Sequence, residues 1–344
     1  MRKLAGLAGL LLLLASCGDA ETTPNSIRLI AHDSFASGVT EETFAAFTQA
    51  TGTEVEVIAA GDAGSMVNQA ILTKDNPLAD VIFGIDDTFL SRALENEILT
   101  PFESQYLDTV SDGLILDPTH RATPIDFGDV CINYQKAWFE ETALDVPQEL
   151  DDLRSELYAS FLTVEHPATS SPGLAFMLAT IEEFGEENWL EFWADLRAAG
   201  VRVAPDWDTA YYADFMPYGG SSSMVVSYAS SPPAEVIFAS EPIDQAPTGV
   251  IDVGCYRQVE FAGVLAGTPY PTAAGQLIDF MLSVEFQETI PLTWFVFPAN
   301  TTTPLPEEFV IHTVLPESPA QMDPERIARN RDRWISQWVS VMEG

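Results

Sequence analysis

Ala79-Asp80-Val81-Ile82-Phe83-Gly84 is a nearly unbroken apolar run closed by a glycine. It reads as a strand buried on both faces, since a half-exposed strand would alternate. Upstream, Ile27, Leu29 and Ala31 alternate up to His32, and Asp33-Ser34-Phe35 breaks the pattern. Phe44 and Phe47 then share a helical face that Gly52 ends, and Val55 and Val57 alternate again before the turn Gly61-Asp62-Ala63-Gly64-Ser65. Strand, helix, strand, helix, strand with apolar strands predicts a parallel sheet covered on both faces. Ligands of such sheets bind beyond the carboxyl ends of the strands. The loops leaving those ends are Asp33-Ser34-Phe35, Gly61 to Ser65 and Ile85-Asp86-Asp87.

A second α/β unit follows Asp126-Phe127-Gly128. Val130 to Tyr134 crosses into it, and Phe161 to Val164 is its first buried strand. Thr169-Ser170-Ser171-Pro172-Gly173 opens a helix with Ser171 placed to cap and Pro172 at the first helical position. Val201 to Ala204 reads as a strand, Trp207 to Phe215 as a helix, and Met224 to Tyr228 as a strand running into Ala229-Ser230-Ser231. Val253 to Phe261 returns to the first unit. The reading is therefore an α/β fold of two lobes joined by two crossings, with a cleft between the strand ends. Cys131 and Cys255 are either two separate buried thiols or a disulfide. Side-by-side crossings would bring them together, and a bond there would staple the hinge.

Arg2 and Lys3 precede an apolar run from Leu4 to Ala15, too short to span a bilayer and of the length of a secretory signal core. Leu14-Ala15-Ser16-Cys17 resembles a bacterial lipobox, which makes Cys17 the expected lipidated N-terminus and 18–26 a polar leash. Fifty-two acidic side chains against fifteen basic ones leave a net charge of −37. Such a surface repels polyphosphates, so nucleic acid is excluded as a partner. The 344 residues, 47% of them hydrophobic, suffice for two cored domains.

The scheme delivers Asp33, Ser34, Asp62, Asp86, Ser170, Ser171, Trp207, Tyr228, Ser230, Ser231 and Trp294 to the cleft. Aromatic faces hold flat rings and attract a fixed cation, carboxylates supply counter-charge, and serines at a helix start hold a hydroxyl or phosphate. That set suits an aromatic cation with a polar or anionic tail. Each residue also has a plainer role: the tryptophans as core, the serines as caps, the aspartates as turn residues. His32, His120, His166 and His312 are scattered without metal-ligand spacing and read as surface or satisfied residues, so no metal and no cofactor is expected. There is no P-loop and no GxSxG motif.

Several segments carry a resemblance. They are Asp33-Ser34-Phe35, Ala79 to Asp86, Thr169 to Leu174, Val226 to Pro232, Phe280 to Pro291, Trp294 with Pro298-Ala299-Asn300, and the closing Arg333-Trp334-Ile335-Ser336 with Trp338. Through these, from about Leu29 to near the C-terminus, the chain resembles the thiamine-binding solute receptors of bacterial ABC importers. The resemblance implies a two-lobed periplasmic-binding-protein fold, class II-like, closing on thiamine or its phosphates and delivering the ligand to a membrane permease with its ATPase. Carried over, it implies ligand contacts at Asp62, Ala63, Ser170, Ser171, Trp207, Tyr228, Ala229, Ser230, Ser231 and Trp294, beside Asp33. The family's Tyr stands as His32 here, and its Asp-Tyr-Gly at the hinge as Asp126-Phe127-Gly128. The expected division is signal 1–16, tether 17–26, lobe 1 from 27–127 and 255–300, lobe 2 from 128–254, and a helical segment 301–344 packed on both. No enzymatic activity is expected. The rival readings are a receptor for another organic cation such as a polyamine, a ferric-ion receptor, and a thiaminase-like transferase using Cys131 as nucleophile.

Overall fold

The computed structural model describes residues 23–344; the predicted signal segment and Cys17 lie outside them. Ten strands form one sheet: β1 (Ser26–Ala31), β2 (Glu54–Ala59), β3 (Val81–Asp86), β4 (Leu99–Thr100), β5 (Thr123–Gln135), β6 (Leu162–Glu165), β7 (Arg202–Ala204), β8 (Met224–Tyr228), β9 (Thr248–Leu265) and β10 (Phe297–Pro298). Their order is β2-β1-β3-β9-β5-β8-β6-β7, with β4 on β9 and β10 on β5. β3 is buried along its whole length, as its apolar run requires.

The sheet as a whole is mixed, and the parallel pairing expected for the first three strands is present. β2, β1 and β3 are parallel in one lobe, and β8, β6 and β7 in the other. Between them β5 and β9 run antiparallel, paired from Thr123 with Ala262 to Gln135 with Thr248. These strands are the crossings, and both are longer than the patterns at Val130–Tyr134 and Val253–Phe261 suggest. Asp126, Gly128 and Asp129 in one, and Arg257 and Glu260 in the other, interrupt the apolar alternation that marks a strand.

Two local expectations are corrected and a third is present in altered form. Asp33-Ser34-Phe35 opens a short helix, Asp33–Gly38, because His32 Nδ1 accepts the Phe35 amide and caps it. The cap of helix Ser171–Ala198 is Ser170 rather than Ser171: Ser170 has the extended backbone of a cap, and its Oγ accepts from the Gly173 amide at 3.3 Å. The helix expected over Trp207–Phe215 is present over 207–214, with Thr209–Asp214 wound as a π-helix.

Cys131 and Cys255 are joined by a disulfide with Cα atoms 4.4 Å apart. Next to it, Arg257 makes a two-pronged ion pair with the buried Asp129, both contacts 2.9 Å, and covers the Phe127 ring. The C-terminal helix Pro324–Met342 touches both lobes. Arg331 lies over Phe89 of helix Asp87–Glu95, and the buried Trp338 packs on Trp193 of helix Ser171–Ala198. Among the described residues, no helix is long and apolar enough to cross a membrane.

Candidate functional site

Tyr228, at the carboxyl end of β8, is half-buried and donates its hydroxyl to Gln258 Oε1 at 2.9 Å. Its phenol is held far above the ordinary range by burial and by Glu260, Asp86, Asp62 and Glu165. Three of these acids come from the first lobe or its crossing strand and one, Glu165, ends β6 in the second. One aromatic ring therefore sits among carboxyl groups from both sides of the cleft. Gly128 allows the approach, because a Cβ there would meet the ring at 2.8 Å.

The acids are positioned by strand ends and by register. Asp86 closes β3 and caps the following helix, accepting from the Thr88 and Phe89 amides at 2.9 and 3.1 Å; its other oxygen accepts from Gln258 at 3.1 Å. Across the sheet Asp86 pairs with Glu260 and Glu260 with Asp126, with a β-bulge in each ladder just before the pair. Cross-strand partners present side chains on one face, so three carboxyls form a transverse row. His32 Nε2 lies 3.4 Å from Glu260. Burial lowers the His32 pKa, but Glu260, helped by Asp62 and Asp86, overcomes this and leaves it raised. Gly84 makes room for this imidazole, since a Cβ there would overlap it and its φ is +91°.

Asp62 caps helix Ala63–Leu72, accepting from the Ala63 amide at 2.7 Å. The residue is exposed, but the surrounding protein reduces the hydration of its carboxylate, and this, aided by Asp86 and Glu260, pushes it up to about 6. Burial, with Asp86 beside it, pushes Asp87 up to about 8; Asp87 accepts from the Tyr256 hydroxyl at 2.7 Å. Glu165 is fully buried with no partner for either oxygen, and burial raises its carboxyl well above the usual range.

From the second lobe, the start of helix Ser171–Ala198 approaches Asp86. Ser171 Oγ faces that carboxylate closely enough to lower its pKa against the larger effect of burial, without closing a hydrogen bond. Trp207 is half-buried, stacks on Tyr211 with ring centres 4.9 Å apart, and donates to Ser227 Oγ, which contacts Ser231 Oγ. Asp62 and Ala63 thus lie at a helix start of the first lobe, and Ser170 and Ser171 at one of the second, with Tyr228 at the end of β8 and Trp207 packed within the second lobe.

The remaining expected residues are spent differently. Asp33 ties two loops, accepting from the Gly61 amide at 2.8 Å. Ala229 is buried, and Ser230 donates to the Phe295 carbonyl at 2.6 Å, joining the second lobe to the loop after Trp294. Trp294 stacks on Phe35 at 4.6 Å and donates to its carbonyl, so one face and the N–H belong to the first lobe. The expected ligand set lacks Glu260, Asp126, Gln258, Glu165 and His32; the sequence marks His32 as a satisfied histidine and Asp126 as part of the hinge. The available signal was a charged residue inside an otherwise apolar strand, as in Val259-Glu260-Phe261.

A small depression of about 10 Å³, lined by Leu78, Ala79 and Ala266, has room for one water and lies at the opposite end of β3 from these acids. Among the described residues, no three His, Cys, Asp or Glu side chains converge as a metal-ligand set.

This arrangement, acids and an aromatic ring at strand ends between lobes that share two long strands, agrees with a match of residues 76–313 to the bacterial extracellular solute-binding proteins. The chain belongs to that family. This solute-binding protein is 26% identical over 344 residues to the thiamine-binding periplasmic protein of Brucella suis, covering 99% of both chains. It is 27% identical to that of Salmonella typhimurium, covering 95% of this chain and 96% of the other. Among solved structures, a periplasmic thiamin binding protein superposes with a TM-score of 0.79 at 24% identity, covering 92% of this chain and 96% of that one. Iron-bound HitA from Pseudomonas aeruginosa superposes at 0.76 with 19% identity, covering 92% and 99%. Receptors with unlike guests share the fold, so fold alone does not choose the ligand.

Proposed function

We propose that this solute-binding protein takes up thiamine or a thiamine phosphate outside the cytoplasm and delivers it to the permease of an ABC importer, tethered to the membrane through a lipid on Cys17. The observation that carries the ligand reading is the Tyr228 ring set among Asp62, Asp86, Glu260 and Glu165. Thiamine offers a flat thiazolium with a fixed positive charge, which such a ring and such acids stabilise by cation–π and ionic attraction. Trp207 is the second aromatic wall, for the aminopyrimidine. Ser170, Ser171 and the amides of their helix receive the hydroxyethyl or phosphate tail. The names of the full-length relatives from Brucella and Salmonella support the same ligand.

A polyamine needs carboxylates at both ends of a long groove, whereas here they converge on one ring. A thiaminase-like transferase needs a free Cys131 thiolate, and Cys131 is consumed in the disulfide.

Native mass spectrometry of the purified protein, followed by titration calorimetry with thiamine, thiamine phosphate and spermidine, tests the proposal. The expected result is a one-to-one thiamine complex that spermidine does not displace. No thiamine binding, or displacement by spermidine at equal concentration, would overturn it.

A further inference from the structure

Asp126 is buried to 4% exposure, and no donor in the protein reaches its Oδ1. The group it faces is Glu260, its partner in strand register and itself largely buried. Two carboxyls in contact attract only when a proton lies between them; as two anions they repel. Glu260 also stands next to Asp86 in the same row, on its other side. The neighbourhood thus holds an excess of acceptors, and a buried oxygen without a donor points into it. Such a place is completed by a proton when the site is free and by a cation when it is filled.

We propose that Asp126 and Glu260 act as a shared-proton carboxyl pair that seats the ligand's fixed positive charge, exchanging the proton for the cation on binding. The balance is simple: the neutral Asp126 carboxyl loses one proton to solvent, no other bond changes, and the resulting pair of carboxylates faces one permanent cation. The inference rests on the thiamine reading and adds to it the residues that discriminate charge.

The other groups facing the pair are His32 after β1, Asp62 at the start of helix Ala63–Leu72, Asp86 at the end of β3 and the Tyr228 hydroxyl on β8. Arg331 acts on Asp86 from the C-terminal helix. Burial and the charge of Glu260 hold the Asp126 carboxyl well above the ordinary range, which is the direction the exchange requires. Affinity for a fixed cation therefore falls as pH drops through the raised Asp126 pKa, because the cation must then displace a more tightly held proton.

Titration calorimetry with thiamine at pH 7, in buffers of different ionisation enthalpy, counts the protons released. The expected result for the wild type is a net release of protons on binding thiamine. Asp126→Asn should lose that release and show a shallower dependence of affinity on pH than the wild type. Glu260→Gln should weaken thiamine at least tenfold while leaving the uncharged thiophene analogue of thiamine within about twofold. Thiamine binding with no proton release by the wild type overturns the exchange and leaves the thiamine reading intact, whereas absence of thiamine binding by the wild type overturns that reading first. Release that persists in Asp126→Asn moves the proton to another group, His32 or Asp62, and refutes the assignment. An equal loss for charged and uncharged ligands in Glu260→Gln refutes charge discrimination. The proton count needs only the wild type, so a variant that fails to fold does not remove the test.

Discussion

Removing the hinge disulfide by the double replacement Cys131→Ala and Cys255→Ala perturbs the unfolded chain far more than the folded one. The bond links positions separated by 124 residues, and the loop-closure relation puts its stabilisation at about 5 kcal/mol at 25 °C. Packing adds little, because the sulfurs lie in a small cluster with Ala229 and the half-buried Val250, and alanine keeps each Cβ. Urea unfolding followed by tryptophan fluorescence is a suitable assay, with seven tryptophans in the chain. With a slope of about 3–4 kcal/mol per molar for a chain of this size, the midpoint should fall by about 1.2–1.7 M. Wild-type protein unfolded under strong reductant should show the same fall. Neither cysteine touches the acids around Tyr228, so thiamine binding by the folded variant should persist. A midpoint shift below about 0.3 M in both experiments would refute the reasoning.

Two further outcomes follow from the geometry. Trp207→Ala should weaken thiamine about tenfold through loss of the proposed aromatic wall, whereas Trp294→Ala should first cost about 2–3 kcal/mol of stability through the lost Phe35 stack; calorimetry and thermal melts separate the two, and a Trp294 variant with an unchanged melting temperature would contradict the packing described. Asp87, pushed up to about 8, keeps its proton in the folded protein at pH values where the unfolded chain has lost it, so wild-type stability falls as pH rises from about 4 to about 8. Asp87→Asn removes that dependence and should gain about 1.4 kcal/mol per pH unit on the wild type between pH 5 and 7; parallel urea midpoints across that range would show that Asp87 is already ionised.

Much of the architecture is legible along the chain. The apolar run at Val81–Asp86, the alternation in β1 and β2, and the serine-proline start of helix Ser171–Ala198 each reflect forces acting over a few residues, so a linear reading finds them. The loops that carry Asp62, Ser170, Ser171, Trp207 and Tyr228 were legible for the same reason, since strand ends and turns have a local chemistry. The disulfide partners were candidates only, because proximity depends on how two distant strands lie.

Tertiary structure alone decided the rest. Asp86 reads as a strand-end loop residue, and Glu260 and Asp126 as isolated interruptions in two other strands, until antiparallel register and two bulges bring all three into one row. Trp294 and Ser230 could serve ligand or fold equally well in a linear reading, and their contacts with Phe35 and Phe295 assign much of their bonding capacity to the fold. Periodicity records which way a side chain points from its own strand. It carries no record of which residue of a remote strand will stand beside it, and the charge balance of this cleft depends on that pairing.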